Sequence, residues 1–352
     1  MVNKFANLPY DRLSDWIYAF VVVNFDIDFG QVIEKNVINY SSFPDSHSDY
    51  LGDTLFHYRM RCPTFDQLTK CKLTLSRTLP PFLKPTPGYC FCYVLFRQVR
   101  DTALRRNYFQ KSVVILSPYP FDALFSKLLN IIAPDYFLKG VKALEEASSQ
   151  IDKWPQPTPG ESMVLELMGR NFPLSIPIDY AMQHHISSGK DSSSEIDPNL
   201  YSINFATSLM PVISHLQRIW ELVIIGQSIL VVGHCPRQCS HTVQSLVSCI
   251  SPLFFAGEYR PFFTIQDPDY KEFTSIKTPN SAIILGVTNP FFCKVIGHWP
   301  NIIRLNCNIQ GQAKKKKNSI LKSLVIDDSK PGLYSNYKPF LKRSRYFKQL
   351  KH

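Results

Sequence analysis

The densest set of metal-ligating side chains in this sequence is His234, Cys235, Cys239 and His241. Thiolates and imidazoles can hold zinc at such spacing, but a closed structural site usually draws a second pair from elsewhere in the chain. Here all four lie within eight residues. The segment reads as a polar turn between a strand and a helix, and no metal is expected. Cys90 and Cys92 alternate onto one side of a strand and read as core thiols. Asp26 and Asp28 could pair for acid–base work, but they lie at a strand-to-turn edge next to Gly30. The strands ILVV and AIIL are each followed by a single glycine, Gly233 and Gly286. A dinucleotide or phosphate cradle needs several glycines so that backbone can approach the anion, and neither GxGxxG nor GxxxxGK[ST] occurs. There is no GxSxG nucleophile elbow. The sequence therefore offers no covalent chemistry and no cofactor, and it is not read as an enzyme.

One segment does have the composition of a working surface. FRQVRD (Phe96 to Asp101) and LRRNYFQKS (Leu104 to Ser112) bring Arg97, Gln98, Arg100, Asp101, Arg105, Tyr108 and Phe109 to the tip of a hairpin between two apolar strands. Arg and Tyr carry much of the energy in protein interfaces, because they combine broad apolar contact with directed hydrogen bonds. A second, smaller candidate is Thr288, Asn289 and Phe291, which follow the carboxyl end of a strand of parallel-sheet type, where such sheets expose function.

The elements that position these residues change character along the chain. Trp16 to Phe25, Gln31 to Ile38, Leu55 to Arg61, Tyr89 to Val99 and Lys111 to Leu116 read as strands, rich in β-branched and aromatic residues. Phe121, Leu124, Phe125, Leu128, Leu129 and Ile132 then recur at helical spacing, with Pro134 expected to close the helix. A second helix is expected over Val141 to Ile151. Strands followed by helices predict an α+β unit over 1–151. Residues 152–207 hold WPQPTPGES and HHISSGKDSSSEIDP and read as a linker, with a short strand pair around Met163 to Ile178. From 208 to 310 strands alternate with helices. Pro211 to Ile225 is expected to bury Ile213, Leu216, Trp220, Val223 and Ile224 on one stripe, and apolar strands at Ile229 to Val232, Ala282 to Val287 and Asn301 to Leu305 predict a parallel α/β sheet.

Charge separates the last segment from the rest. Residues 311–352 hold 12 of the 39 Lys and Arg and 2 of the 28 Asp and Glu, so nearly all of the +11 net charge lies there. The body is close to neutral, which excludes a basic face reading nucleic acid. Residues 311–352 read as a basic tail, with the Lys314 to Lys317 run as solvated linker. The nine cysteines are an odd number, several inside apolar runs, and fit reduced thiols in a cytosolic setting. No segment has the length and hydropathy of a membrane span.

The same residues carry a resemblance. LPYDRLSDWIYAFVVVNFDIDFGQVIE, SFPDSHSDYLGDTLF, YVLFRQVRDTALRRNYFQKSVVILS, IAPDYF, WPQPTPG, WELVIIGQ, CISPLFFAGEYRPFFTIQDPDYKEF, ILGVTNPFF and HWPNIIRL, in this order, resemble the DENN-domain family, and within it the DENN domain-containing protein 6 group. The resemblance implies a bilobal architecture: a longin-like α+β upstream module, then an α/β parallel-sheet core module. DSKPGLYSNYKPFL (Asp328 to Leu341) resembles the start of a downstream, mostly helical region, which the chain is expected to lack for the most part. The resemblance further implies a guanine-nucleotide exchange factor for a Rab-type small GTPase in endosomal membrane traffic, cytoplasmic and peripherally on recycling endosomes. A non-exchanging GTPase-binding scaffold is the alternative. The basic tail is expected to touch anionic membrane.

Overall fold

The computed structural model describes residues 12–26, 30–32, 41–45, 51–63, 77–103, 107–179, 196–275, 282–305 and 330–340. Strands β1 (Ala19–Asp26), β2 (Gly30–Val32), β3 (Gly52–Arg61), β4 (Tyr89–Arg100) and β5 (Tyr108–Ser117) pair antiparallel in the order β2-β1-β5-β4-β3. Strand β4, between β5 and β3, is apolar on both faces because both are covered. Phe91, Tyr93 and Leu95 face helix α1 (Asp122–Lys139), which presents Leu124, Phe125, Leu128, Leu129 and Ile132. Cys90, Cys92, Val94 and Phe96 lie on the other face, beside Phe56, Tyr58 and Met60 of β3, and pack with Phe262 in a second cluster. Each such side chain contributes roughly 1.5–3 kcal/mol by leaving water.

Pro134 does not close α1, which runs on to Lys139. A proline in a helix removes one backbone donor, to the carbonyl four residues earlier. That residue is Asn130, on the exposed side of the helix, where water can take the missing bond's place. The helix instead ends at Gly140, whose φ of 69° suits glycine, and α2 (Val141–Ile151) follows. A hairpin, β6 (Ser162–Leu167) and β7 (Arg170–Ser175), comes next. The Asp152 carboxylate accepts the backbone N–H groups of Arg12 and Leu13 at 2.7 and 2.8 Å, and the Trp16 indole donates to the Pro155 carbonyl at 2.8 Å. These bonds tie the first described turn to the segment after α2.

A second sheet has the order β12-β11-β8-β10-β9, formed by β8 (Ile229–Val232), β9 (Glu258–Arg260), β10 (Ile283–Val287), β11 (Asn301–Arg304) and β12 (Gly332–Ser335). The first four are mutually parallel and β12 is antiparallel. Its helices are α3 (Phe205–Leu209), α4 (Leu216–Ile224), α5 (Pro236–Ser248), α6 (Tyr270–Ser275) and α7 (Phe291–Val295). Helix α5 packs against β10 on one side and β3 of the first sheet on the other. Val243, Leu246 and Val247 thereby join the same core as Phe91, Tyr93 and Leu95.

Two sequence expectations are corrected here. Residues 210–215 form a 3-10 helix, Met210–His215, and only Leu216–Ile224 is α-helical. Three residues per turn instead of 3.6 breaks the register of a stripe drawn through both. The buried residues of α4 are Ile219, Glu221, Leu222 and Val223, while Ile213, Trp220 and Ile224 are exposed. The basic tail, for its part, is not all tail. Its residues 330–340 add β12 to the sheet edge, with Leu333 in the main core. Arg218 of α4 donates to the carbonyls of Ser335 and Tyr337 at 3.0 and 2.6 Å. The buried Glu221 accepts the Tyr337 hydroxyl at 2.9 Å and the Phe340 N–H at 2.8 Å.

Edge strand meets edge strand where the two sheets approach. Arg59 of β3 donates to the Glu258 carboxylate and the Tyr259 carbonyl of β9, both at 3.1 Å. Its guanidinium lies between the Tyr89 and Tyr259 rings, 3.6 and 4.1 Å from their centroids. Arg260 donates back to the Arg59 carbonyl and pairs with Glu258 and Asp269, and the Tyr89 hydroxyl also binds Glu258. Arg61 reaches Asp269 and Glu272. Three arginines and three carboxylates thus bridge the sheets, with Arg59 and Arg260 almost wholly buried.

Candidate partner-binding surface

The β4–β5 hairpin pairs Arg97 with Lys111, Gln98 with Gln110, Val99 with Phe109 and Arg100 with Tyr108. Alternation then divides the candidates. Arg97 points to the face covered by α1. Its guanidinium makes a two-armed bond to the Asp53 carboxylate, both arms 2.6 Å, and stacks 4.1 Å over the Phe137 ring. Asp53 holds Arg97 more firmly protonated, against a smaller opposing effect of burial. Phe109 sets its edge against Phe137 at 6.3 Å, and Lys111 lies 5.6 Å from both the Phe109 and Tyr136 rings. Arg97, Phe109 and Lys111 therefore form one aromatic–cationic cluster with the last turns of α1.

Gln98 lies on the opposite face, buried and bonded by the Gln110 amide at 2.8 Å. Arg100 is exposed beyond it. Asp101 shapes the tip: its N–H donates to the Asn107 carbonyl and its carboxylate accepts the Ala103 N–H. Tyr108 is half-buried, and Arg105 lies outside the described residues. The tip thus offers Arg100 freely, Arg97 and Phe109 as a supported cluster, and Gln98 not at all in this arrangement.

Thr288, Asn289 and Phe291 sit on the other sheet, after β10. Thr288 is buried, the Asn289 side chain accepts the Phe291 N–H at 2.9 Å, and the Phe291 ring is exposed. The Cys and His segment does not gather into a ligand set. Cys239 is buried with its thiol toward the Val287 carbonyl, and burial pushes it well up. The His241 ring lies 5.9 Å from that of His57 on β3. Burial and then nearby Arg237 lower His241 to about 4, and His57 is lowered too, by burial first and then by His241 and Arg237. Among the described residues no group of three metal-ligating side chains occurs.

The sequence reading missed Asp53, Tyr136 and Phe137, which build the cluster around Arg97, and the whole of the Arg59–Glu258–Arg260 bridge. IAPDYF is one of the blocks that carry the resemblance, and helical spacing continued past Pro134 carries Tyr136 and Phe137 onto the sheet. Nothing local marks Asp53 or the bridge, whose partners lie about 200 residues apart.

Curated relatives supply the family. The chain is 41% identical to protein DENND6A of Gallus gallus over 370 residues, which is 97% of this chain. It is 38% identical to DENND6B of Homo sapiens and 31% identical to a DENND6 homolog of Dictyostelium discoideum, over 96% and 94% of its length. The chain belongs to the DENND6 group of the DENN-domain family. It spans about three-fifths of the length of those relatives: 63%, 62% and 56% respectively. No family model matches it. One antiparallel and one mostly parallel sheet, both with packed helices, are compatible with a longin-like unit followed by an α/β unit of a DENN protein.

Proposed function

We propose that this chain is a guanine-nucleotide exchange factor for a Rab-type small GTPase, acting in endosomal membrane traffic. The observation that carries the reading is its kinship with the DENND6 proteins along nearly its whole length. DENN proteins are in general Rab exchange factors. Exchange breaks no covalent bond. The exchanger must bind the nucleotide-free GTPase more tightly than the loaded form, and each factor of ten in release takes about 1.4 kcal/mol of that difference. A body whose two sheets share a core and a buried ionic bridge suits this task, because a rigid surface can hold a GTPase open without being deformed in turn. The exposed Arg100 and the Arg97–Phe109–Phe137 cluster are the contacts we assign on the first sheet, and Phe291 with its Asn289 support on the second. The protein works in the cytoplasm, peripherally on recycling endosomes.

Release of fluorescent GDP from a Rab panel tests the proposal, with pull-down on nucleotide-free and GDP-loaded GTPase beside it. Faster release and a preference for the empty form are expected with one Rab. Equal binding of both forms, with no acceleration, would leave a non-exchanging GTPase-binding scaffold instead.

A further inference from the structure

The two sheets meet along a seam that is not closed. A cleft of about 670 Å³ opens there, between Arg59, Thr86 and Tyr89 on the side of the first sheet and the end of α4, the loop after α5 and β9 on the other. Gly226, Ala256, Gly257 and Ala282 line it with little or no side chain, which leaves the space unfilled. Ile224, Phe254 and Phe255 supply an apolar wall. A shallower hollow shares Thr86, Phe254, Phe255 and Tyr259 with the cleft and adds Leu253 and Lys84. Leu253, Phe254 and Ile224 are 58%, 60% and 39% exposed, so an apolar surface runs along both openings. Ligand sites are typically concave, roughly 300–1,000 Å³ in volume, mostly apolar with a few polar groups, and favour the junctions between packed units.

The polar side chains say what kind of ligand fits. Arg59 and Tyr89 bind Glu258, whose carboxylate also pairs with Arg260. The one carboxylate of the cleft is thus occupied, and donors are left over. The Arg59 Nε is buried without a hydrogen bond. Lys84 is half-buried and has no carboxylate partner among the described residues. The polar end is therefore short of acceptors and carries one unpaired positive charge. A carboxylate only accepts hydrogen bonds and brings one negative charge, so it matches on both counts. A phosphate monoester would bring close to two charges to a single lysine. The length of apolar wall asks for a hydrocarbon chain behind the acid, and the cleft is larger than one side chain inserted by a protein partner would fill.

We propose that the cleft at the sheet junction binds a single-chain amphiphile with a carboxylate head, of the long-chain fatty acid class. The head meets Lys84, with Thr86 beside it, and the chain lies along Ile224, Phe254 and Phe255 over the glycine and alanine wall. None of the residues assigned to the GTPase takes part, so the proposal stands independently of the exchange reading.

Dansyl-undecanoate, kept below its micelle concentration, is titrated into the full chain and then displaced with oleate. Saturable binding and displacement are expected, with much weaker displacement by the alcohol of the same chain. Ala256→Trp sets an indole into the cleft from an exposed position of its wall and should abolish probe binding with circular dichroism unchanged. Ile224→Trp should do the same from the α4 side. Lys84→Met keeps the apolar stem and removes the charge, and should weaken the carboxylate about tenfold while leaving the alcohol as it was. Undiminished probe binding in both tryptophan variants would overturn the proposal, because the exposed Leu253 and Phe254 would then adsorb the probe without the cleft. Equal affinity for alcohol and carboxylate, or no effect of Lys84→Met, would overturn it by removing the acid head. A chain that shows no saturable binding at all would overturn it outright and give the apolar surface to a protein partner.

Discussion

Removing the Glu258 carboxylate tests how the two sheets are held together. Glu258→Gln keeps the side-chain volume and takes away the charge that Arg59 and Arg260 share. Arg59 and Arg260 are 4% and 1% exposed, so neither can recover water. Breaking a buried pair by deleting one partner typically costs 3–5 kcal/mol. Here each arginine keeps something: Arg59 its bond to the Tyr259 carbonyl and two ring faces, Arg260 its pairing with Asp269. The lower end applies, about 3 kcal/mol. In a protein of this size that is a fall in Tm of about 4 °C. Urea unfolding followed by circular dichroism measures it. The double variant Arg59→Met, Glu258→Met supplies the control, because replacing both charges by apolar groups is often close to neutral. It should recover at least half of the loss. A loss below about 1 kcal/mol for Glu258→Gln would refute the reasoning, since pairs of that strength are solvent-screened. The shared core through α5 would then be what joins the sheets.

Acid should weaken the fold through His241. Its pKa is near 6.5 unfolded and about 4 folded, so its contribution is intact above pH 6.5 and is lost as pH falls toward 4. The slope over that window is about 1.4 kcal/mol per pH unit, and His241→Leu should flatten the pH dependence of the unfolding free energy, from urea titrations, by that amount. Asp122 acts in the opposite sense: burial raises it to about 6, so Asp122→Asn should gain most stability at pH 7 and little below pH 4, provided the Ser202 bonds survive. Arg100→Glu should weaken binding of a nucleotide-free Rab at least tenfold, by surface plasmon resonance, with no change in Tm. Arg97→Glu should lower both, because it also sets a carboxylate against Asp53 and removes the ring contact with Phe137. Deleting residues 330–352 should destabilise the remainder by about 3 kcal/mol in calorimetry, since Leu333 leaves the core and the buried Glu221 loses two donors.

Much of the fold was legible because its signals are local. The run YCFCYVLF can only be a strand covered on both sides, and the five-strand then helix order followed from period alone. Three features resisted for physical reasons. Pro134 carries a local rule, helix termination, that solvent around Asn130 relaxes. The Met210–Ile224 stripe looks amphipathic at 3.6 residues per turn, but a 3-10 segment rotates its first half out of phase. β12 is short, sits among lysines, and pairs with a strand about 30 residues earlier, so only the pairing reveals it. The candidate site divides the same way. Alternation on β4 places Arg97 and Arg100 on opposite faces, while the partners that occupy Arg97 come from β3 and α1 and leave no mark on the hairpin itself.

The return strand β12 has a consequence for how the chain can be remodelled. The strand is tethered to β11 by the 27 residues 305–331, and a tether of that length holds it near the sheet edge at an effective concentration of roughly millimolar. Docking is thus a unimolecular event, with Arg218 and Glu221 as its polar anchors. A free peptide with the sequence of residues 330–340 would have to exceed that concentration to displace the strand. A single cut between β11 and β12 abolishes the advantage and turns the same contacts into an ordinary bimolecular equilibrium, so proteolysis there would act as a dilution of the strand by several orders of magnitude without touching any bond that holds it.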